Sequence, residues 1–310
     1  MADLLHLLDK PEGWTSHDAV ARMRTILGES RVGHAGTLDP FASGLLLVAE
    51  GRATGILGCL GLLPKRYLAR ARLGVATDTQ DWTGTVIGTS SRLPSLAEIE
   101  AALPRFRGAI LQRPPLFSAV KVRGERLYKS ARRGVDVERQ ERPVHVYELT
   151  LSDSAEFPEI ALDATVSRGT YLRTLAHDLG EALGCGAHLA GLKRVASGPF
   201  RVEDALSPER ERGHDVGAFR AQAYTLERAL AFLPRVRLTE PEAAALRHGR
   251  APAFDPSRVE ESDQRWPLPP GEPGWPLTLL SPSGEALALA RAREEQPSGP
   301  HRLLRVLVGA

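Results

Sequence analysis

Cysteine, lysine and long apolar runs are scarce in this 310-residue sequence, which has two cysteines and five lysines. Cys59 and Cys185 lie far apart without Cys-x-x-Cys spacing, which excludes a disulfide framework and a zinc site and fits a reducing compartment. No stretch approaches 18 uninterrupted apolar residues, so a membrane span is not expected. Asp3, Asp9 and Lys10 interrupt any apolar region near the N-terminus, which argues against a secretory signal. We therefore expect a soluble, cytoplasmic protein.

The formal net charge of +2 is too small to identify a nucleic-acid partner by itself. Hydrophobic and charged fractions of 42% and 25% are typical of a globular protein. The length suits one large domain and a small one. A shift in composition near Pro234 predicts domains at 1–234 and 235–310. The second has nine arginines and ten acids from Val236 onward, which is weak support for phosphate binding.

The segment Arg31–Glu50 stands out because glycines and a proline punctuate its first half, which we expect to be a loop. Its second half contains the apolar run 45–49, which predicts a buried strand. Asp39 precedes Pro40, and this favours an extended backbone at the aspartate. A strand behind a glycine-containing loop is suited to holding one carboxylate over a cavity. Alternatively, Asp39 simply forms a turn.

Hydrophobic periodicity predicts strands and helices in a mixed order. Strands are expected at 4–8, 45–49, 67–73, 144–151, 160–166, 189–195, 277–280, 286–292 and 303–308. Helices are expected at 17–27, 53–63 and 171–183, with further short helices after the capping residues Ser95 and Thr239. In the strand 67–73, arginines alternate with apolar residues, which predicts that one face of the strand is basic and exposed to solvent.

The segment Arg113–Arg133 contains seven cations and one acid, with Phe117 and Tyr128 interleaved among them. Such a pattern is typical of surfaces that hold phosphates and stack bases. A charge run more commonly forms a solvated face, so the pattern alone leaves both interpretations open.

The sequence from Gly33 to Gly44, Gly-His-Ala-Gly-Thr-Leu-Asp-Pro-Phe-Ala-Ser-Gly, resembles the signature loop of the TruB family of bacterial tRNA pseudouridine-55 synthases. Residues 10–17 and 169–173 are similar to two further motifs of that family. The resemblance implies an α/β (α+β) catalytic domain with a mixed, largely antiparallel sheet, followed by a small PUA-like domain. It also implies a monomer that binds the T-arm and T-loop of tRNA, without a membrane or an obligate protein partner.

The resemblance assigns three catalytic residues. Asp39 acts as nucleophile or base at the sugar of a flipped-out uridine, and Arg173 pairs with it. Tyr67 stacks on the target base and helps to remove its C5 proton. The resemblance also implies a basic, RNA-clamping insertion at about 113–142, with substrate contacts at Lys121, Arg123, Arg126 and Lys129. His34 matches a family residue that contacts the displaced nucleotides, and Tyr171 and Leu192 match residues in the wall of the base pocket. A further substrate contact is implied at Lys10.

The chemistry of the residues agrees with these roles. Burial raises the pKa of a carboxyl group, and a guanidinium nearby lowers it again. Arg173 stands in the first turn of its predicted helix, where the helix dipole opposes a cation, so we expect an anion beside it. Isomerisation involves no redox change and no group donor, and the sequence has no Walker loop or metal-ligand spacing, so no cofactor is expected.

Two other functions remain open from the sequence. The protein could be a pseudouridine synthase that acts on another RNA site. It could also be an RNA-binding, tRNA-folding factor with a vestigial active site.

Overall fold

The structure, a computed structural model, describes residues 2–118, 121–122, 125–126, 138–152, 155–209, 216–291 and 302–307. The chain divides into two compact units. The first comprises Met1–Pro40, Gly44–Leu63 and Gly198–Ala310, and the second comprises Phe41–Ser43 and Pro64–Ser197. Residues on both sides of Pro234 belong to the first unit, and the expected boundary at that point stays a prediction.

The described strands are β1 Leu5–Lys10, β2 Val32–Ala35, β3 Ser43–Glu50, β4 Lys65–Leu73, β5 Val75–Thr77, β6 Val86–Thr89, β7 Gly108–Gln112, β8 Lys121–Val122, β9 Glu125–Arg126, β10 Arg142–Ser152, β11 Glu159–Val166, β12 Ala187–Ser197, β13 Phe200–Arg201, β14 Arg235–Arg237, β15 Leu277–Leu280, β16 Ala286–Arg291 and β17 Arg302–Val306.

The described α-helices are α1 Ser16–Leu27, α2 Leu57–Leu60, α3 Leu96–Ala102, α4 Leu172–Ala182, α5 Val216–Gln222, α6 Leu226–Ala229 and α7 Glu240–Arg247. Short 3-10 helices occupy Gly51–Ile56, Leu103–Phe106, Val202–Asp204 and Pro256–Arg258. No helix in these described ranges is long and apolar enough to cross a bilayer.

In the first unit, β3 pairs antiparallel with both β1 and β2. The apolar run of β3 is almost entirely buried, as expected for an interior strand. Helix α1 packs its apolar face, including Met23 and Ile26, against side chains of β3. Thr15 caps α1 through a capping box with Asp18, and Gly28 ends it with a left-handed φ of 63°. Helix α1 therefore ends where the sequence predicts and begins one residue earlier, at Ser16.

The second unit contains an antiparallel sheet in the order β12-β4-β11-β10-β7. Along β4 every other residue is buried, and Arg66, Arg70 and Arg72 lie on the exposed face. Helix α4 packs on β12. At Gly180 a Cβ atom would collide with the backbone of Ala187, so this approach of helix and strand requires glycine. The exposed arginines confirm the predicted basic face of β4. The largely antiparallel sheet with a helix packed on it confirms the predicted mixed α/β fold.

The C-terminal part of the first unit forms a four-stranded sheet in the order β14-β15-β16-β17. Strands β14 and β15 are parallel and the other pairs are antiparallel. A separate apolar cluster that includes Val236, Leu279 and Leu287 supports this sheet. The three strands expected here are confirmed, and β14 is an addition. That this part is PUA-like stays a prediction.

Two local expectations are wrong. Residues 32–35 form strand β2 rather than loop, because pairing with β3 overrides the weak strand preference of glycine. Residues 53–63 do not form one helix; they contain the end of a 3-10 helix and the single turn α2. Glycines at positions 55, 58 and 61 lower the helix preference there by about 1 kcal/mol each relative to alanine.

Both cysteines are free and buried. Burial raises the pKa of the Cys59 thiol to about 12, and the positive charge of Arg291 offsets this only in part.

Candidate active site

Asp39 lies half-buried in the loop between β2 and β3 of the first unit. The residues on either side of it are held by the chain around the start of α1. The hydroxyl of Ser16 accepts a hydrogen bond from the Leu38 amide at 2.9 Å and donates to the Leu38 carbonyl at 3.2 Å. The amide of Gly13 donates to the Pro40 carbonyl at 2.8 Å. The backbone that carries Asp39 is therefore fixed on both sides.

Lys10, predicted as a substrate contact, is completely buried at the end of β1. Its ammonium group donates to the carbonyls of Pro11 and Trp14 at 2.8 and 2.7 Å. These bonds hold the turn that contains Gly13. Because the Gly13 amide bonds the Pro40 carbonyl, Lys10 supports the Asp39 loop indirectly through this turn. His34, predicted to contact displaced nucleotides, is half-buried on β2.

Arg173 lies in the first turn of α4 in the second unit and is 3% exposed. Its guanidinium is 3.3 Å from a carboxylate oxygen of Asp81 and also donates to the carbonyls of Thr79 and Phe117, at 3.2 and 2.9 Å. An anion was expected beside Arg173, and Asp81 is one. The predicted pairing of Arg173 with Asp39 stays a prediction.

Asp81 is a buried residue that the sequence analysis missed. Besides the Arg173 pair, its carboxylate accepts hydrogen bonds from the Thr79 hydroxyl at 2.8 Å and the Thr83 amide at 3.0 Å. The Thr77 hydroxyl donates to its carbonyl at 2.7 Å. The only sequence signal is that threonines surround Asp81 at positions 77, 79 and 83, a pattern that also suits an exposed turn.

Tyr67 lies on the buried face of β4, opposite Arg194 of β12. The Arg194 guanidinium donates to the Tyr67 hydroxyl at 3.5 Å and is itself 1% exposed. Lys65 lies two residues before Tyr67 on the same buried face. Burial lowers the pKa of Lys65 to about 7, and the positive charges of Arg194 and Arg168 add to this effect. The cationic neighbours of Tyr67 were not predicted from the sequence.

The two residues predicted to form the wall of the base pocket lie on different elements. Leu192 is half-buried on β12, opposite Ala69 of β4. Tyr171 caps the start of α4, where its amide donates to the side chain of Gln112 at 2.9 Å and its carbonyl accepts from the same side chain at 3.3 Å. Because Gln112 is buried on β7, these two hydrogen bonds fix the first turn of α4, which contains Arg173.

The predicted basic segment is described only in part. Lys121 and Arg126 are paired residues of the short β8–β9 ladder. Arg123 and Lys129 lie outside the described residues. At its start, Arg113 pairs with Glu141 at 3.4 Å on the exposed surface. Within the described parts of the chain, no three His, Cys, Asp or Glu residues are grouped so that they could hold a metal ion.

Comparisons with known proteins agree with the fold and with the motifs. Residues 24–172 match the family model described as TruB family pseudouridylate synthase (N terminal domain). Residues 173–211 match the tRNA pseudouridylate synthase B C-terminal domain. The tRNA pseudouridine synthase B of Heliobacterium modesticaldum is 45% identical over 80% of this chain and 80% of that protein. The Thermobifida fusca protein of the same name is 41% identical over 94% of this chain and 96% of its own length.

Solved structures with a similar fold include chains of two complexes. A chain of a Cbf5-Nop10-Gar1 complex has a TM-score of 0.74 and 29% identity, covering 99% of this chain and 85% of that one. A chain of an H/ACA RNP bound to a substrate RNA containing 2′-deoxyuridine has a TM-score of 0.70 and 25% identity, covering 98% and 85%. Since relatives above 40% identity align over most of both chains, the sequence resemblance is confirmed, and the chain belongs to the TruB family of pseudouridylate synthases.

Proposed function

We propose that this protein isomerises uridine to pseudouridine at position 55, in the T-loop of tRNA, with Asp39 as the reacting carboxylate. The observation that carries the proposal is the fixed backbone of the Asp39 loop, bonded through Leu38 to Ser16 and through Pro40 to Gly13. Relatives that are named tRNA pseudouridine synthase B support the choice of tRNA as substrate.

The reaction moves one bond without changing the composition of the RNA. The bond between N1 of uracil and C1′ of ribose breaks, the uracil turns, and its C5 forms the new bond to C1′. The proton on C5 is then lost and N1 gains a proton. Asp39 provides either the nucleophile at C1′ or the base at the neighbouring sugar carbon, and both roles require an ionised carboxylate.

Arg173 is proposed to keep the carboxylate ionised in a site from which water is excluded. The Arg173 side chain is buried and its planar fork is already oriented by Asp81 and by two carbonyl groups. A guanidinium that is held in advance loses little rotamer freedom when it pairs with a second carboxylate.

Tyr67 is proposed to stack on the uracil and to assist removal of the C5 proton. Its hydroxyl accepts a hydrogen bond from buried Arg194, which orients the phenol. Leu192 and Tyr171 are proposed to form the walls around the base.

Access to C1′ requires that the uridine leave its stack, because a paired or stacked nucleotide hides this atom. The irregular T-loop suits such recognition by shape. His34 is proposed to contact the displaced nucleotides. The basic segment, through Lys121, Arg123, Arg126 and Lys129, is proposed to hold the RNA backbone.

Chemical mapping of pseudouridine in an unmodified tRNA transcript, incubated with the purified protein, tests this proposal. The expected result is one modified position, 55, and no signal in a transcript that has cytidine there. Modification at another position would move the activity to a different RNA site. Binding and refolding of the transcript without any pseudouridine would favour a tRNA-folding factor.

A further inference from the structure

The first turn of α4 is a poor helix start by its own sequence. Tyr171 occupies the N-cap position, and in the described chain its side chain makes no capping hydrogen bond to the turn. Thr15 of α1 and Ser95 of α3, by contrast, each form a capping box. The turn contains Arg173 and no acid, so the helix dipole opposes the only charge in it. The direction of Arg173 therefore depends on contacts from outside the helix.

Gln112 of β7 supplies the cap that the sequence of α4 lacks. Its side-chain carbonyl accepts the Tyr171 amide at 2.9 Å, and its side-chain amide donates to the Tyr171 carbonyl at 3.3 Å. The Tyr171 carbonyl also accepts the Leu175 amide at 3.0 Å, which is the first hydrogen bond of the helix. Because Gln112 is 2% exposed, loss of its side chain would leave these backbone groups short of a partner.

Gln112 is itself fixed, because it is the last residue of β7 and lies in the ladder between β7 and β10. The stretch of chain that follows it makes two further bonds to α4. The Arg113 carbonyl accepts the Thr174 hydroxyl at 3.4 Å, and the Phe117 carbonyl accepts the Arg173 guanidinium at 2.9 Å. The start of α4 is therefore bonded at three of its residues to the end of β7 and the chain just after it.

We propose that Gln112 is a positioning residue for pseudouridine formation, which sets the direction of the Arg173 guanidinium by holding the backbone of Tyr171. The proposal rests on the proposed function, in which Arg173 pairs with the reacting carboxylate. Gln112 acts through the first turn of α4 and not by contact with the RNA. A misplacement of about 1 Å can lower a rate about 100-fold, so loss of Gln112 should slow the reaction and leave tRNA affinity nearly unchanged.

The test compares two variants of Gln112 with the control Ser95→Ala, which removes the capping box of α3 in the same unit. Gln112→Met removes both hydrogen bonds at similar side-chain length. It should lower the single-turnover rate about 100-fold and change the Kd for a tRNA transcript by no more than about twofold. Gln112→Glu keeps the acceptor for the Tyr171 amide, so it should fold even if Gln112→Met does not, and its rate should fall about fivefold.

Ser95→Ala should keep both the rate and the Kd. A wild-type rate in whichever Gln112 variant folds, or a rise in Kd as large as the fall in rate, would overturn the proposal. A double-mutant cycle with Arg173→Lys separates positioning from a general loss of stability. If Gln112 acts through Arg173, Gln112→Met should lower the rate only about twofold further in the Arg173→Lys background. Losses that multiply in full would show that Gln112 does not act through Arg173.

Amide hydrogen exchange in the free protein is a readout besides activity. The amides of Tyr171 and Leu175 should exchange faster in Gln112→Met than in the wild type or in Ser95→Ala, because both depend on the bonds that Gln112 makes. Unchanged exchange would refute the positioning role. Pseudouridine formation by the wild type is measured in parallel. Its absence would overturn the proposed function, whereas an active wild type matched by the Gln112 variants would overturn the role of Gln112 alone.

Discussion

The guanidinium of Arg173 and the carboxylate of Asp81 form a buried ion pair at 3.3 Å, across 92 positions of the sequence. Both side chains are at most 5% exposed. Removing one partner of such a pair leaves an uncompensated buried charge, which costs far more than a surface pair contributes. The pair therefore fixes the orientation of Arg173 before any substrate is present.

We predict that Arg173→Lys lowers the single-turnover rate of pseudouridine formation by about 100-fold or more, with a smaller effect on tRNA affinity. Lysine keeps the charge but cannot bond Asp81, Thr79 and Phe117 with one planar fork. Asp81→Asn, which keeps the shape of the partner, should lower the rate less. Rates within a few-fold of wild type for Arg173→Lys would contradict the role of the fork.

We predict that Asp39→Asn folds and binds tRNA but shows no turnover, because an amide serves neither as nucleophile nor as base at the sugar. Tritium release from tRNA that contains 5-labelled uridine measures this under single-turnover conditions. Asp163→Asn is the control, since it removes a carboxylate that pairs with exposed Arg66. Residual turnover near the wild-type rate would remove Asp39 from the mechanism.

We predict that Ser16→Ala lowers both stability and catalysis. The substitution removes both hydrogen bonds to Leu38 and costs about 1–3 kcal/mol, because a buried amide loses its partner. The backbone beside Asp39 then loosens, and kcat should fall while the Kd for tRNA stays close to that of the wild type.

Ser95→Ala is the matched control for Ser16→Ala. It removes the capping box of α3 in the second unit, at a cost of about 1 kcal/mol. It should therefore lower stability without lowering kcat. An equal loss of kcat in both variants would mean that catalysis responds to stability alone.

We predict that Lys65→Met changes the pH dependence of unfolding. The pKa of Lys65 is about 7 in the folded protein and about 10.4 in an unfolded chain. Between these values the unfolded chain binds a proton that the folded protein lacks, so this group makes stability rise with pH from 7 to 10. Methionine removes that contribution, and its stabilising effect should be largest at pH 7 and shrink at higher pH.

Urea unfolding of Lys65→Met and wild type at pH 7, 8 and 9 measures this difference. Lys193→Met, at an exposed position of β12, is the control for loss of a surface ammonium group. A difference between Lys65→Met and wild type that is the same at every pH would contradict the prediction.

The parts of the fold that the sequence predicts are those with local causes. Helix α1 has a capping box at Thr15 and a stop at Gly28, and β4 has strict alternation, so both follow from nearby residues. Strand β2 is different, because its two central residues include a glycine and only pairing with β3 makes it extended. That pairing is a tertiary contact which local preference does not contain.

In the candidate site, too, the residues that depend on tertiary contacts could not be predicted from the sequence. Asp39 stands in a long motif and could be named from the sequence, whereas Asp81 lies in a polar turn that resembles a solvated one. Its burial comes from the docking of that turn on β12, where the Trp82 amide donates to the Leu189 carbonyl at 3.0 Å. The position of Arg194 beside Tyr67 likewise depends on the register of β4 with β12.

The buried thiols have a practical consequence for following the RNA-bound state. With Cys59 and Cys185 both shielded, and the pKa of Cys59 near 12, alkylating dyes have no accessible native thiolate at neutral pH. A cysteine introduced at Arg123 would then be the single reactive position, with no need to replace the native pair. Fluorescence from a dye at that point would report directly on how the basic segment responds when tRNA is added.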